Sequence, residues 1–248
     1  MDIVVKPDIH VFKSPEETVL GLADRLISKV NTVVVEEGVC SLLLSGGSTP
    51  VPLFKYLVEA AADHIPWDSL HIFWADERFV PRSNSASNFA NAMSYFSRTD
   101  MRRAQIHPIP VDYPSAEEAA KAYEQELRLW SIGSVPRFDL VLLGMGADGH
   151  TASLFPGDSA LAVNDRLVSA AMSPDEPRSR VTVTLPVLNA ARDIHFLVTG
   201  STKSGAISEY RKAQESGRAT NPASKVQPES GRITLWLDEP AAGRPASG

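Results

Sequence analysis

Two hydrophobic patterns alternate along this chain. Short apolar runs at 41–44, 70–75, 138–143, 194–198 and 233–237 are strand-length and read as buried strands. Between them lie stretches with helical spacing. Ser14-Pro15-Glu16-Glu17 is a helix start, with a capping serine, a proline at the first helical position and an acid placed for a capping box. Val19, Leu20, Ala23, Leu26, Ile27 and Val30 then mark one apolar face. Ser115-Ala116-Glu117-Glu118 repeats the signal, with Ala119, Ala120, Tyr123, Leu127 and Trp130 as the inward stripe. On that helix Glu117 with Lys121 and Glu124 with Arg128 read as solvated pairs, each worth about 0.2–0.5 kcal/mol. Further helices are expected from Thr49-Pro50, over 88–96, after Gly149 and after Ser201, with a loop over 81–87.

Strands alternating with helices along nearly the whole length predict an α/β fold with a mainly parallel sheet covered on both faces. The chain's 248 residues suffice for one large domain, no interior linker demands a second, and no internal repeat is evident. A single domain over 1–240 is expected, with a loose tail over 241–248. Composition adds little: 43% hydrophobic and 22% charged residues are ordinary for a soluble protein. With 24 basic and 30 acidic side chains, a net charge of −6 gives no global attraction to nucleic acid or membranes. A positive pocket for a small anion remains compatible with it. The lone Cys40 excludes an intrachain disulfide and a thiolate metal cluster, and beside Leu42-Leu43-Leu44 it reads as buried filler. Residues 1–10 lack the basic-then-apolar order of a secretory signal, and no apolar run nears the roughly 20 residues of a membrane span. A cytoplasmic monomer is expected, with weak self-association left open.

Candidate chemistry gathers at the ends of three strands. The densest stretch is Gly144-Met145-Gly146-Ala147-Asp148-Gly149-His150-Thr151-Ala152-Ser153, directly after a strand. Histidine titrates closest to neutral pH, so a neutral His150 can take a proton from water attacking a carbonyl. Asp76 or Asp148 would orient its ring; the sequence leaves both open. Ser45-Gly46-Gly47-Ser48-Thr49 after another strand offers backbone N–H groups, two hydroxyls at Ser48 and Thr49, and a helix start, a combination that suits phosphate. It is neither a Walker loop nor a dinucleotide fingerprint. In Asp76-Glu77-Arg78, Arg78 either meets a phosphate or holds a neighbouring carboxylate. Lys203, near a helix start, is a further candidate for contacting phosphate. No HExxH pattern or cysteine–histidine zinc spacing occurs, so neither metal nor cofactor is expected.

These motifs, taken in order, resemble the 6-phosphogluconolactonases. The resemblance runs through Ser45 to Pro50, Asp76-Glu77-Arg78 with Val80-Pro81 and Ser87-Asn88, and most strongly Gly144 to Pro156. It continues through Arg180-Val181-Thr182-Val183-Thr184, Leu188 to Ala191, Pro222-Ala223 and Trp236-Leu237-Asp238, almost the whole chain. It implies a modified Rossmann-like fold of the sugar-phosphate isomerase/deaminase type. It also implies hydrolysis of 6-phospho-D-glucono-1,5-lactone to 6-phosphogluconate, in the oxidative pentose phosphate pathway, without a metal. The implied partner is a small phosphorylated sugar lactone. On that resemblance His150 activates water and Asp76 and Asp148 stand near the substrate. Gly46, Gly47, Ser48 and Thr49 form the phosphate turn, with Arg78, Arg180 and Lys203 as cationic contacts.

The related deaminases continue after the Asp-Gly-His motif with Asn-Glu-Pro. Here Leu154 and Phe155 precede Pro156, so the glutamate assisting ring opening is missing. That departure disfavours amino-sugar chemistry. A non-catalytic sugar-phosphate-binding protein is the other alternative, and it would have no need of a positioned His150. Ser48 lacks the elbow of a serine nucleophile.

Overall fold

A computed structural model describes residues 5–97 and 103–244. In chain order the first elements are β1 (Asp8–Phe12), α1 (Pro15–Glu37), β2 (Cys40–Leu44), α2 (Val51–Glu59), β3 (Leu70–Trp74), β4 (Asp76–Arg78) and α3 (Asn88–Phe96). They are followed by β5 (Gln105–His107), α4 (Ala116–Trp130), β6 (Leu140–Leu143), β7 (Val168–Met172) and β8 (Ser179–Val183). The chain closes with α5 (Leu185–Ala190), β9 (Asp193–Val198), α6 (Ser204–Ser216) and β10 (Arg232–Asp238). Among the described residues no helix is long and apolar enough to cross a membrane.

The described strands form a seven-stranded sheet ordered β1-β10-β9-β6-β2-β3-β5, with every pairing parallel. Its central strands carry almost unbroken apolar runs because both faces are covered by helices. From β2 the chain moves outward through β3 to β5; from β6 it moves the other way through β9 to β10. The switch point therefore lies between the adjacent strands β2 and β6, which is where open parallel sheets bind ligands.

A second, antiparallel sheet ordered β4-β8-β7 sits beyond the carboxyl end of the first. Ala75 joins the two: its N–H donates to Leu44 O at 2.8 Å and its carbonyl accepts from Val183 N at 2.8 Å. The chain leaving β3 is thus held against β2 while it enters the small sheet. On α4, Glu124 accepts from the Leu167 and Val168 amides at 3.1 and 3.4 Å as well as from Arg128. The sequence reads Glu124 as solvated support; it also fastens the helix to β7.

The α/β architecture, parallel sheet and five strands agree with the expectation, as do caps at Ser14 and Ser115. Glu17 closes its cap on the Lys13 amide, one residue earlier than a capping box requires. Cys40 is fully buried, which pushes its thiol up to about 12. Several local readings need correction. Leu20 is exposed, and Leu22 takes its place on the buried face of α1. The helix expected from Thr49 starts later, with Pro50 as its cap. No helix follows Gly149: Thr151 and Leu154 form an isolated bridge instead, and Thr151 Oγ1 donates to Gly144 O at 2.9 Å. Ala241 and Ala242, placed by the sequence reading in a loose tail, are buried, and the Ala241 amide donates to Asp238 Oδ1 at 2.8 Å. Residues 245–248 lie outside the described residues.

Candidate active site

The turns after β2, β6 and β9 reach the carboxyl edge of the parallel sheet, and β4 and β8 overhang it. Together they enclose a cleft of about 360 Å³, within the range of small-ligand sites. Gly46, Gly47, Ser48, Thr49, Asp76 and Arg78 line it, together with His150, Arg180 and Lys203. Segments far apart in sequence thus meet in one cavity. Of the residues singled out from the sequence, only Asp148 is outside the lining.

Asp148 touches the site through His150. Its Oδ1 lies 2.6 Å from His150 Nδ1 and also accepts the His150 backbone N–H at 3.0 Å. With the carboxylate accepting, Nδ1 is the donor of this contact and Nε2 is left outside it. Of the two acids left open by the sequence, Asp148 is the one bonded to the ring. The turn that makes this possible is tight, with the Gly146 amide donating to His150 O at 2.8 Å and the Gly149 amide to Gly146 O at 3.0 Å. Gly149 takes φ +79°, where a side chain is strained. Phe155 packs against the imidazole, with ring centroids 4.6 Å apart.

Asp76 is buried and does something else. Its Oδ2 accepts from Ser153 Oγ at 2.7 Å, and its backbone carbonyl accepts from Asn88 Nδ2 at 3.0 Å. Its neighbour Glu77 faces away from the cleft. The Glu77 carboxylate accepts the amides of Arg78, Asn88 and Phe89 at 2.7–2.8 Å and the Ser87 hydroxyl at 3.0 Å. Burial pushes this carboxyl up, against the pull of those four donors. Glu77 anchors the amino end of α3 to β4, the loop-fixing role that the acid–acid–arginine sequence also allows.

Arg78 and Arg180 pair directly across β4 and β8. Arg78 donates to the Ala86 carbonyl and Arg180 to Ser173 Oγ at 3.3 Å, but the Nε atom of each is buried without a partner. Burial, then the neighbouring Arg78 charge, holds the Arg180 guanidinium below its usual range. Such a pair is stabilised by an anion. Asp76, Glu77 and Asp175 offset part of that charge at a distance.

Ser45, Asn88, Ser153, Ser173, Asp175 and Glu176 also line the cleft without having been singled out for a role. Ser45, Asn88 and Ser153 stand inside the motifs quoted above, so proximity in sequence could have flagged them. Ser173, Asp175 and Glu176 lie between β7 and β8, where no pattern marks them.

A family model described as glucosamine-6-phosphate isomerases/6-phosphogluconolactonase matches residues 13–236. A 6-phosphogluconolactonase of Synechocystis sp. is 39% identical over 220 residues, which span 87% of this chain and 88% of that protein. One from Nostoc sp. is 37% identical over 244 residues, 96% of this chain and 98% of that protein. The chain belongs to the 6-phosphogluconolactonase family. Solved structures of the family share its fold. The 6-phosphogluconolactonase of Thermotoga maritima superposes with a TM-score of 0.80 at 30% identity, over 94% of this chain and 99% of that one. That of Trypanosoma brucei gives 0.85 at 27% identity, over 97% and 99%.

Proposed function

We propose that this chain hydrolyses 6-phospho-D-glucono-1,5-lactone to 6-phosphogluconate by histidine-assisted attack of water. The observation carrying this reading is the cleft itself: an imidazole bonded to a carboxylate and two facing arginines, whose charge the nearby acids offset only in part, line one cavity at the switch point. The first is a general base and the second an anchor for a dianion. A phospholactone presents both needed groups on one small molecule, an electrophilic carbonyl and a phosphate.

In the proposed reaction Arg78, Arg180, Lys203 and the 46–49 turn hold the phosphate, whose binding energy keeps C1 near the base. His150 Nε2 takes a proton from water as the water oxygen bonds to C1. The Asp148 carboxylate stabilises the imidazolium so formed. Collapse of the tetrahedral intermediate breaks the bond from C1 to the ring oxygen, which takes the proton back from His150 and becomes a hydroxyl. The new carboxylic acid then ionises to solvent. The leaving alkoxide remains tethered and the ester is already activated, so no covalent nucleophile is needed.

The test is acid release from the fresh phospholactone above its spontaneous rate, run beside ammonia release from glucosamine 6-phosphate. Acid alone is expected. Ammonia release, or acid release no faster than the uncatalysed reaction, would overturn the reading.

A further inference from the structure

Two buried polar atoms at one wall of the cleft have no partner. Ser45 Oγ and Asn88 Oδ1 are both without a hydrogen bond, though their residues are only 6% and 2% exposed and both line the cleft. Buried polar atoms are normally satisfied, and leaving one unmade costs more than an ordinary hydrogen bond gains. Both residues adjoin Gly46, Ser45 in sequence and Asn88 in space. A Cβ on Gly46 would overlap the Asn88 amide, so that amide reaches the turn because residue 46 has no side chain.

The orientation of the Asn88 amide is set. Its Nδ2 donates to Asp76 O at 3.0 Å and its backbone N–H to Glu77 Oε1 at 2.7 Å, so Oδ1 is the atom left over. The backbone of Ser45 is held in turn, its amide donating to Leu142 O at 2.9 Å. An amide oxygen can only accept. A phosphate dianion brings no donor and would be repelled there, whereas an alcohol brings one. The serine hydroxyl can give or receive, so the hydroxyls of a polyol suit each of the two atoms.

We propose that Ser45 Oγ and Asn88 Oδ1 form a hydroxyl-recognition subsite that reads the polyol chain of the ligand, separately from the phosphate contacts. This deepens the lactonase reading and rests on it. The cleft then divides by chemistry: arginines and lysine grip the anion, and acceptors on the β2 and α3 side select a hydroxylated carbon chain. Ser45 and Asn88 are specificity-determining residues on this account.

Ser45→Ala gives a clean test, because it removes an atom that bonds nothing in the free protein. Calorimetry would compare three ligands: 6-phosphogluconate, 6-phosphohexanoate (same chain, phosphate and carboxylate, no hydroxyls) and inorganic phosphate. Ser45→Ala should weaken 6-phosphogluconate about three- to tenfold, the worth of one hydrogen bond. It should leave affinity for the other two ligands unchanged, and the thermal midpoint of the free protein should rise or stay level, because an unmade buried bond is removed. Asn88→Ala should show the same selectivity, with retained phosphate affinity certifying an intact cleft. Equal weakening of all three ligands would place Ser45 among the phosphate contacts and overturn the subsite, as would no change in any. Failure of the unsubstituted protein to bind 6-phosphogluconate would instead remove the lactonase reading, and the subsite with it.

Discussion

Arg78 and Arg180 stand opposite each other across the β4–β8 ladder, each with a buried Nε that bonds nothing. Like charges directly opposed on a sheet are destabilising, and burial sharpens the repulsion. An anion between them should therefore stabilise the folded state. Inorganic phosphate is expected to raise the thermal midpoint in a concentration-dependent way, following the linkage between binding and folding. Arg180→Gln should abolish most of that rise and increase KM for the phospholactone more than it lowers kcat. A phosphate-induced rise that survives the substitution would show that the anion is held elsewhere, as by the 46–49 turn with Lys203.

Gly146 lies beneath the dyad. A Cβ built there overlaps His150 Nδ1 and crowds Asp148 Oδ1 at 2.5 Å. Gly146→Ala should thus displace the imidazole while leaving the sheet and the arginine pair in place. The expected outcome is a fall in kcat of at least tenfold, with phosphate affinity retained. Circular dichroism and phosphate titration alongside the kinetics would check it; an unchanged kcat would mean that the dyad tolerates a shift this account forbids.

Acid stability should carry the mark of His195. Its ring is wholly buried, and burial brings it down to about 4, while Asp193 pulls in the opposite direction. Nδ1 accepts from Trp236 Nε1 at 3.1 Å, which fixes a neutral tautomer. An unfolded histidine titrates near 6.5, so between about pH 6.5 and 4 the unfolded chain binds the proton and the folded one does not. Stability from this group is complete above that window and declines through it on acidification, by on the order of 3 kcal/mol. His195→Gln keeps an acceptor for Trp236 and has nothing to titrate. Urea midpoints at pH 7.5, 6 and 5 should fall less in that variant than in the wild type; parallel falls would assign the acid sensitivity elsewhere.

How much of this was legible in the residues depends on range. Strand–turn–helix order and the two glycine-dense turns are local signals, and they placed Gly46 to Thr49, Asp76 and His150 at strand ends. The pairing of Asp148 with His150 is local as well, two positions apart, but choosing it over Asp76 needed the geometry of a turn with Gly149 at φ +79°. The antiparallel sheet was missed because β4 has only three residues and its partners come a hundred positions later. For the same reason, neither motif alone tells that Arg78 and Arg180 confront each other. The helix expected after Gly149 failed because Thr151 hydroxyl bonding to Gly144 folds the segment back into the turn. Ser45 and Asn88 stood in plain view within motifs, yet an unpartnered atom becomes visible only when every neighbour is placed.

Asp148→Asn should leave the ring in place but remove the negative charge that stabilises its protonated form. We expect kcat to fall roughly a hundredfold, the scale of a general-base contribution, with little change in KM. A KM effect larger than the kcat effect would instead assign Asp148 to holding substrate.

The central claim is that His150 performs chemistry and is not needed for binding. The direct test measures steady-state hydrolysis by His150→Ala, corrected for spontaneous opening, beside its calorimetric affinity for 6-phosphogluconate. We predict a loss of about 10²–10⁴ in kcat with product affinity within several-fold of the wild type. Hydrolysis kept within tenfold, or activity and affinity lost together, would contradict it.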